Sequence, residues 1–282
     1  MLKNLFIWIA FLPAHAVANI IECKDESGKT IYADNRRMCA STPISKTPIV
    51  NSFPSTAKSL KGEINYRYPL RNYGKISGRW DVYYEAGLKG SDPVLFESAR
   101  SKLEKTLSQV EQSLPLSSMT LLKPLKIYLL WGEASPLGGK KSGMRYVRKG
   151  EPEKHPHYDA RWEDSIIIYS AKNLVYLSDL WTKKALTHEF SHAWHILNWP
   201  DKYSEIYIPW KNSKNRKLYI NVKDIKGELI SSAYAGKNNL EYFAELSAIY
   251  FVGGNYYPFD RVGLQSYDLQ GYQMVEELWG VN

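Results

Sequence analysis

Apolar positions recur along the chain with different spacings, and each spacing predicts a different element. From Asp92-Pro93, "DPVLFESARSKLEKTLSQVEQSL" places Leu95, Ala99, Leu103, Leu107, Val110 and Leu114 at intervals of four, four, four, three and four. That is the stripe of an amphipathic helix, with Asp-Pro as its start signal. "KPLKIYLLWG" and "DSIIIYS" are short unbroken apolar runs, the pattern of buried strands. The long polar loop between them, "GGKKSGMRYVRKGEPEKHPHYDARWE", holds one more predicted strand, Met144 to Val147, and its His155 and His157 read as solvated loop histidines. In "KALTHEFSHAWHIL" (184–197) helical spacing returns, with Leu186, Phe190, Ala193 and Leu197 on one face and Pro200 as the stop. A Lys- and Tyr-rich stretch (202–227) leads to a helix predicted from about Leu240 to Val252, ended by Gly253-Gly254. "YDLQGYQMVEELWG" closes the chain as a last helix. Helix, then strands, then helices predicts an α+β domain.

The first forty residues have a different texture. "MLKN" carries one Lys, "LFIWIAFL" is apolar throughout, and "PAHAVANI" supplies small residues. This three-part layout predicts a signal peptide over 1–18 and hence a periplasmic or secreted protein; the run is too short to span a bilayer. No later segment holds 18 uninterrupted apolar residues, so no transmembrane segment is expected after cleavage. Residues 19–40 read as a β-hairpin, "IIEC" and "TIYAD" flanking the turn "DESGK". Cys23 and Cys39 are the only cysteines; in an exported chain so close a pair reads as a disulfide. The Ser-, Thr-, Pro- and Lys-rich run over 41–75 reads as a linker, which leaves 76–282 as the main domain.

Composition narrows the function classes only slightly. The 282 residues are enough for one sizeable core. Lys and Arg exceed Asp and Glu by 37 to 29, a net charge of +8. That excess suits anionic surfaces such as a cell envelope, but no basic run is interleaved with aromatics and no helix-turn-helix is apparent. A nucleic-acid partner is therefore not expected.

The chemistry lies in His188-Glu189-Phe190-Ser191-His192, an H-E-x-x-H motif. On a helix, positions i and i+4 share a face, so both imidazoles can reach one metal ion. Glu189 lies about 100° further round and can face a metal-bound water without being a ligand. Two neutral imidazoles suit Zn²⁺, whose catalytic sites take three protein ligands and keep a fourth position open. His195 is too far along the helix to be the third. The best candidate is Glu241 in "NNLEYFAEL": Asn239 reads as the N-cap and places Glu241 in the first turn, where the helix dipole favours a carboxylate. Glu245, four residues on, could accept the spare N–H of a ligating histidine.

Two resemblances bear on these residues. Cys23, Asp25, Gly28, Lys29, Tyr32, Asp34 and Cys39 resemble a small bacterial envelope module, which implies an envelope partner for the hairpin. "YAGKNNLEYFAEL" resembles the gluzincin segment of the anthrax lethal factor type, in which a Tyr precedes the zinc-binding Glu by seven residues; Tyr234, Glu241 and Phe243-Ala244-Glu245 match. More widely, "HEFSHAWH", "EYFAELSAIYF", "YPFDRVGL" and Leu278-Trp279-Gly280 are similar to uncharacterised secreted bacterial and fungal zincin-like proteins. The resemblance implies a zincin-like fold with an active-site helix and a twisted sheet. It implies zinc on His188, His192 and Glu241, and Tyr234 as donor to the oxyanion. With Glu189 as general base, the expected reaction is hydrolysis of a peptide or protein substrate lying along a sheet edge, "SIIIYS" or "GMRYV". A non-catalytic zincin-shaped envelope protein and a hydrolase of peptidoglycan stem peptides are the competing readings.

Overall fold

The computed structural model describes residues 21–24, 30–33, 71–155 and 157–281. The chain divides into two units, Met1–Pro43 and Ile44–Asn282. In the first, β1 (Ile21–Lys24) pairs antiparallel with β2 (Thr30–Ala33), Ile21 opposite Ala33 and Lys24 opposite Thr30. The export signal, Cys39, the side chain of Cys23 and most of the expected linker lie outside the described residues.

In the second unit, β3 (Tyr73–Ile76) begins within the stretch read as linker and pairs antiparallel with β4 (Asp81–Glu85). A short helix α1 (Ala86–Ser91) precedes α2 (Pro93–Ser113), the amphipathic helix expected from its spacing. Asp92 caps α2, its side chain accepting from Leu95 N at 3.0 Å, and Pro93 takes the first turn, where a missing N–H costs nothing. Ala99, Leu103, Leu107, Val110 and Leu114 are buried; at the N-terminal end Phe96 fills the core and Leu95 is half-buried.

After α3 (Met119–Leu122) come β5 (Lys126–Leu129), β6 (Met144–Val147), α4 (Glu151–Lys154) and β7 (Ser165–Ile168). They complete a sheet of order β3-β4-β5-β7-β6, in which β4, β5 and β7 run parallel and β6 is antiparallel to β7. Strand β7 is buried on both faces. Ile166 and Ile168 join the core shared with the helices, and Ile167 joins a smaller cluster with Tyr128, Val147, Trp162 and Tyr169. Of the two runs considered as a substrate edge, "SIIIYS" is therefore interior and β6 forms the edge.

The remaining chain is mostly helical: α5 (Ala171–Tyr176), α6 (Asp179–Asn198), α7 (Ser204–Asn215), the hairpin β8 (Ile220–Lys223) and β9 (Leu229–Ser232), α8 (Asn239–Phe251), α9 (Arg261–Tyr267) and α10 (Leu269–Trp279). Helix α6 begins at Ser178, which caps Trp181 N, and buries Leu186, Phe190 and Ala193 against the sheet core. Leu197 was expected on that face but is 38% exposed, because the last turn runs past the core before Trp199-Pro200 ends the helix. The expected closing helix is α10, which Asp268 caps at Gly271 N; α9, just before it, was not expected. Helices α6 and α8 pack directly against one another. The architecture is α+β, and no described helix is long and apolar enough to cross a membrane.

Candidate metal centre

The contact between α6 and α8 brings three ligand-type side chains to one point. His188 and His192, one turn apart on α6, have ring centroids 4.6 Å apart and planes at 85°. Their Nε2 atoms lie 3.2 Å and 3.0 Å from the same oxygen, Oε2 of Glu241 on α8. One ligand atom from each residue falls within 4.8 Å of the others. Three ligands at 2.0–2.1 Å from a tetrahedral zinc stand about 3.3 Å from one another, so the two nitrogen–oxygen separations are close to those of a zinc site. The two nitrogens and one carboxylate are also the donor set that catalytic zinc takes.

The N-terminus of α8 places Glu241. The expected cap, Asn239, is one residue off: Asn238, with extended backbone, accepts from Glu241 N at 2.9 Å, while Asn239 is the first helical residue and its side-chain amide donates to Asp201 O. Glu241 is still in the first turn, so the dipole argument stands. Its carboxyl is held well below the usual range: burial pushes it up, and hydrogen bonds from His188 and His192 outweigh that. Burial likewise pushes His188 down, but Glu241 and Glu245 raise it to about 10. Both shifts arise from the same close contacts between these carboxylates and the imidazoles.

Around the three lies a buried supporting network, one turn further along α8. Glu245 Oε1 is 2.9 Å from His188 Nδ1, although the ring N–H does not aim squarely at it. Glu245 Oε2 accepts from Tyr256 Oη at 2.6 Å and from Lys184 Nζ at 3.0 Å, and Lys184 also reaches Asn255 Oδ1 at 2.8 Å. Tyr256 Oη in turn accepts from Ala235 N at 3.3 Å, next to Tyr234. Burial pushes the Glu245 carboxyl up, but Lys184 and His188 bring it below the normal range, so it is an acceptor facing His188. Sequence reasoning placed Glu245 and missed Lys184, Tyr256 and Asn255. A signal existed for Lys184: positions 184, 188 and 192 repeat every four residues, so a lysine shares the histidine face of α6.

Glu189 turns to the sheet, its Oε2 accepting from Tyr146 N on β6 at 2.7 Å. Tyr169 N bonds Gly143 O, so alternate residues of β6 bond β7, and Met144 and Tyr146 direct their backbone groups outward, toward the helix side of the edge. Tyr234, in a 3₁₀ turn over Tyr234–Gly236, has its ring 5.9 Å from that of His188 and is 43% exposed. Burial first, and then the charges of Glu241 and Glu189, push its phenol up, so it stays protonated and able to donate. His195 lies away from the cluster, buried edge-on to Phe243, with Nε2 3.3 Å from Pro200 O; burial lowers it to about 4, which makes it a neutral core histidine. His155 stays on the loop beside Tyr158, its side chain about half exposed.

The chain matches no protein-family model and no curated protein.

Proposed function

We propose that the protein is an exported zinc-dependent peptidase of the gluzincin type, with His188, His192 and Glu241 as its metal ligands. The observation that carries this reading is the convergence of two imidazole nitrogens and one carboxylate oxygen from helices distant in sequence, beside Glu189, which is not one of the three. Zinc bound there supplies Lewis acidity toward water and a scissile carbonyl.

The rest of the chemistry belongs to the chain. Glu189, anchored by Tyr146 N–H, takes a proton from the attacking water and returns it to the leaving amine. Tyr234 donates its phenolic hydrogen to the carbonyl oxygen as charge develops there. The outward N–H and C=O of Met144 and the C=O of Tyr146, whose N–H is engaged by Glu189, receive an extended peptide as an added strand. Glu245 Oε1, 2.9 Å from His188 Nδ1, favours the tautomer with the proton on Nδ1 and the Nε2 lone pair toward the three-residue cluster. The zincin-like fold is part of the same proposal: an edge strand borders a helix carrying H-E-x-x-H, and a second helix returns a glutamate to it.

The experiment is to purify the mature chain, assay bound zinc and compare cleavage of a broad fluorogenic peptide library by wild type and Glu189→Gln. Zinc is expected in both, with activity reduced by at least ~10²-fold in the variant, the usual contribution of a general acid–base group. Zinc without cleavage by either protein would favour a binding role, and equal cleavage by both would remove Glu189 from the chemistry.

A further inference from the structure

One charged group at the site has no part in the chemistry above. Lys237 lies between the turn that carries Tyr234 and the first turn of α8. Its Nζ is 3.0 Å from Tyr234 Oη and 3.1 Å from Glu241 Oε1, the carboxylate oxygen that faces away from the histidines. The other oxygen, Oε2, is the one shared by His188 and His192. The spacing explains the reach: Lys237 is three residues after Tyr234 and four before Glu241, so one side chain covers both.

The geometry points to Lys237 as a positioning residue that bridges the third metal ligand and the oxyanion donor; this rests on the metallopeptidase reading. Two consequences follow from its chemistry. An ammonium has three donors and no acceptor, so at its contact with Tyr234 the phenol oxygen must accept. The phenolic hydrogen is then directed away from Lys237, to the Glu241 carboxylate in the structure and to a substrate oxygen when one enters the cleft. At Glu241 the ammonium occupies Oε1, which leaves one oxygen for the metal and keeps the carboxylate from chelating with both. The aliphatic stem stays at the surface, with about half of the side chain exposed, so the residue contributes little to packing.

Co²⁺ added to the metal-free protein reads the second consequence without any substrate. Wild type is expected to give the intense visible bands of four-coordinate cobalt. Lys237→Met frees Oε1 to chelate, raises the coordination number and weakens those bands; Lys237→Arg, which keeps a cationic donor, restores them. On a peptide chosen from the library, Lys237→Met should lower kcat by about 10-fold with KM little changed, less than the ~10²-fold or more expected for removing an oxyanion donor outright with Tyr234→Phe. Because Lys237 acts on kcat through Tyr234, adding Lys237→Met to Tyr234→Phe should cost almost nothing more. A wild-type protein that takes up no Co²⁺ overturns the metal reading and this inference with it. Normal Co²⁺ uptake, with a Lys237→Met spectrum and kcat equal to wild type, overturns the role of Lys237 alone.

Discussion

Glu245 shows how much of the site is decided by a side chain that is not a ligand. It is buried, accepts from Lys184 and Tyr256 on one oxygen, and offers the other to His188. Glu245→Gln keeps the shape but removes the charge between Lys184 and His188; zinc affinity, measured by chelator competition, is expected to fall 10–100-fold, the usual cost of losing such a partner. His195 makes the opposite point, a histidine beside the motif with a purely internal role. Its folded value of about 4 lies below the ordinary 6.5. Above pH 6.5 neither state holds the proton; between 6.5 and 4 only the unfolded chain does. Stability is therefore present above 6.5 and lost as pH falls through that window, by about 3 kcal/mol in all. Urea denaturation at pH 7 and pH 4.5 should show a shallower loss for His195→Phe than for wild type.

At the level of elements, a helix cap places one of the proposed ligands. Asn238 fixes the start of α8 and so the direction in which Glu241 leaves it. Asn238→Ala should cost about 1 kcal/mol of stability, read from the denaturation midpoint, and weaken zinc binding as well. Elements with strong patterns were legible in the sequence: the stripe of α2, the apolar runs of β5 and β7, the strand β6, and the two helices carrying H-E-x-x-H and Glu241. Those that were not have little apolar face to read. Helix α7 buries only Ile206 and Ser213 and contains Pro209, and β8 and β9 each bury one residue, Val222 and Ile230. Strand β3 sits at the end of a Ser- and Pro-rich run and is recognisable only through its pairing with β4. The three ligand candidates and Glu245 were legible because helical spacing converts directly into a shared face. Lys184 was legible as part of the histidine face but not as the partner of Glu245, and Tyr256 and Lys237 were not legible, because their contacts arise from the loop after α8 and the turn before it.

Across the whole molecule, the site is a joint. His188 and His192 come from one helix and Glu241 from another about fifty residues later, and the edge strand β6 borders Glu189 through a single backbone N–H. A metal held there ties α6 to α8, so its removal should destabilise the second unit as a whole. At zinc a thousandfold above its Kd the linkage is about 4 kcal/mol, and a chelator should lower Tm by roughly 10 °C. The central claim is that one ion sits between those three side chains. Anomalous diffraction at the zinc edge from crystals of the mature chain tests it most directly. The account expects one peak per chain, within bonding distance of His188 Nε2, His192 Nε2 and Glu241 Oε2. Crystals grown with zinc that show no peak there, or a peak bound to other residues, would contradict it.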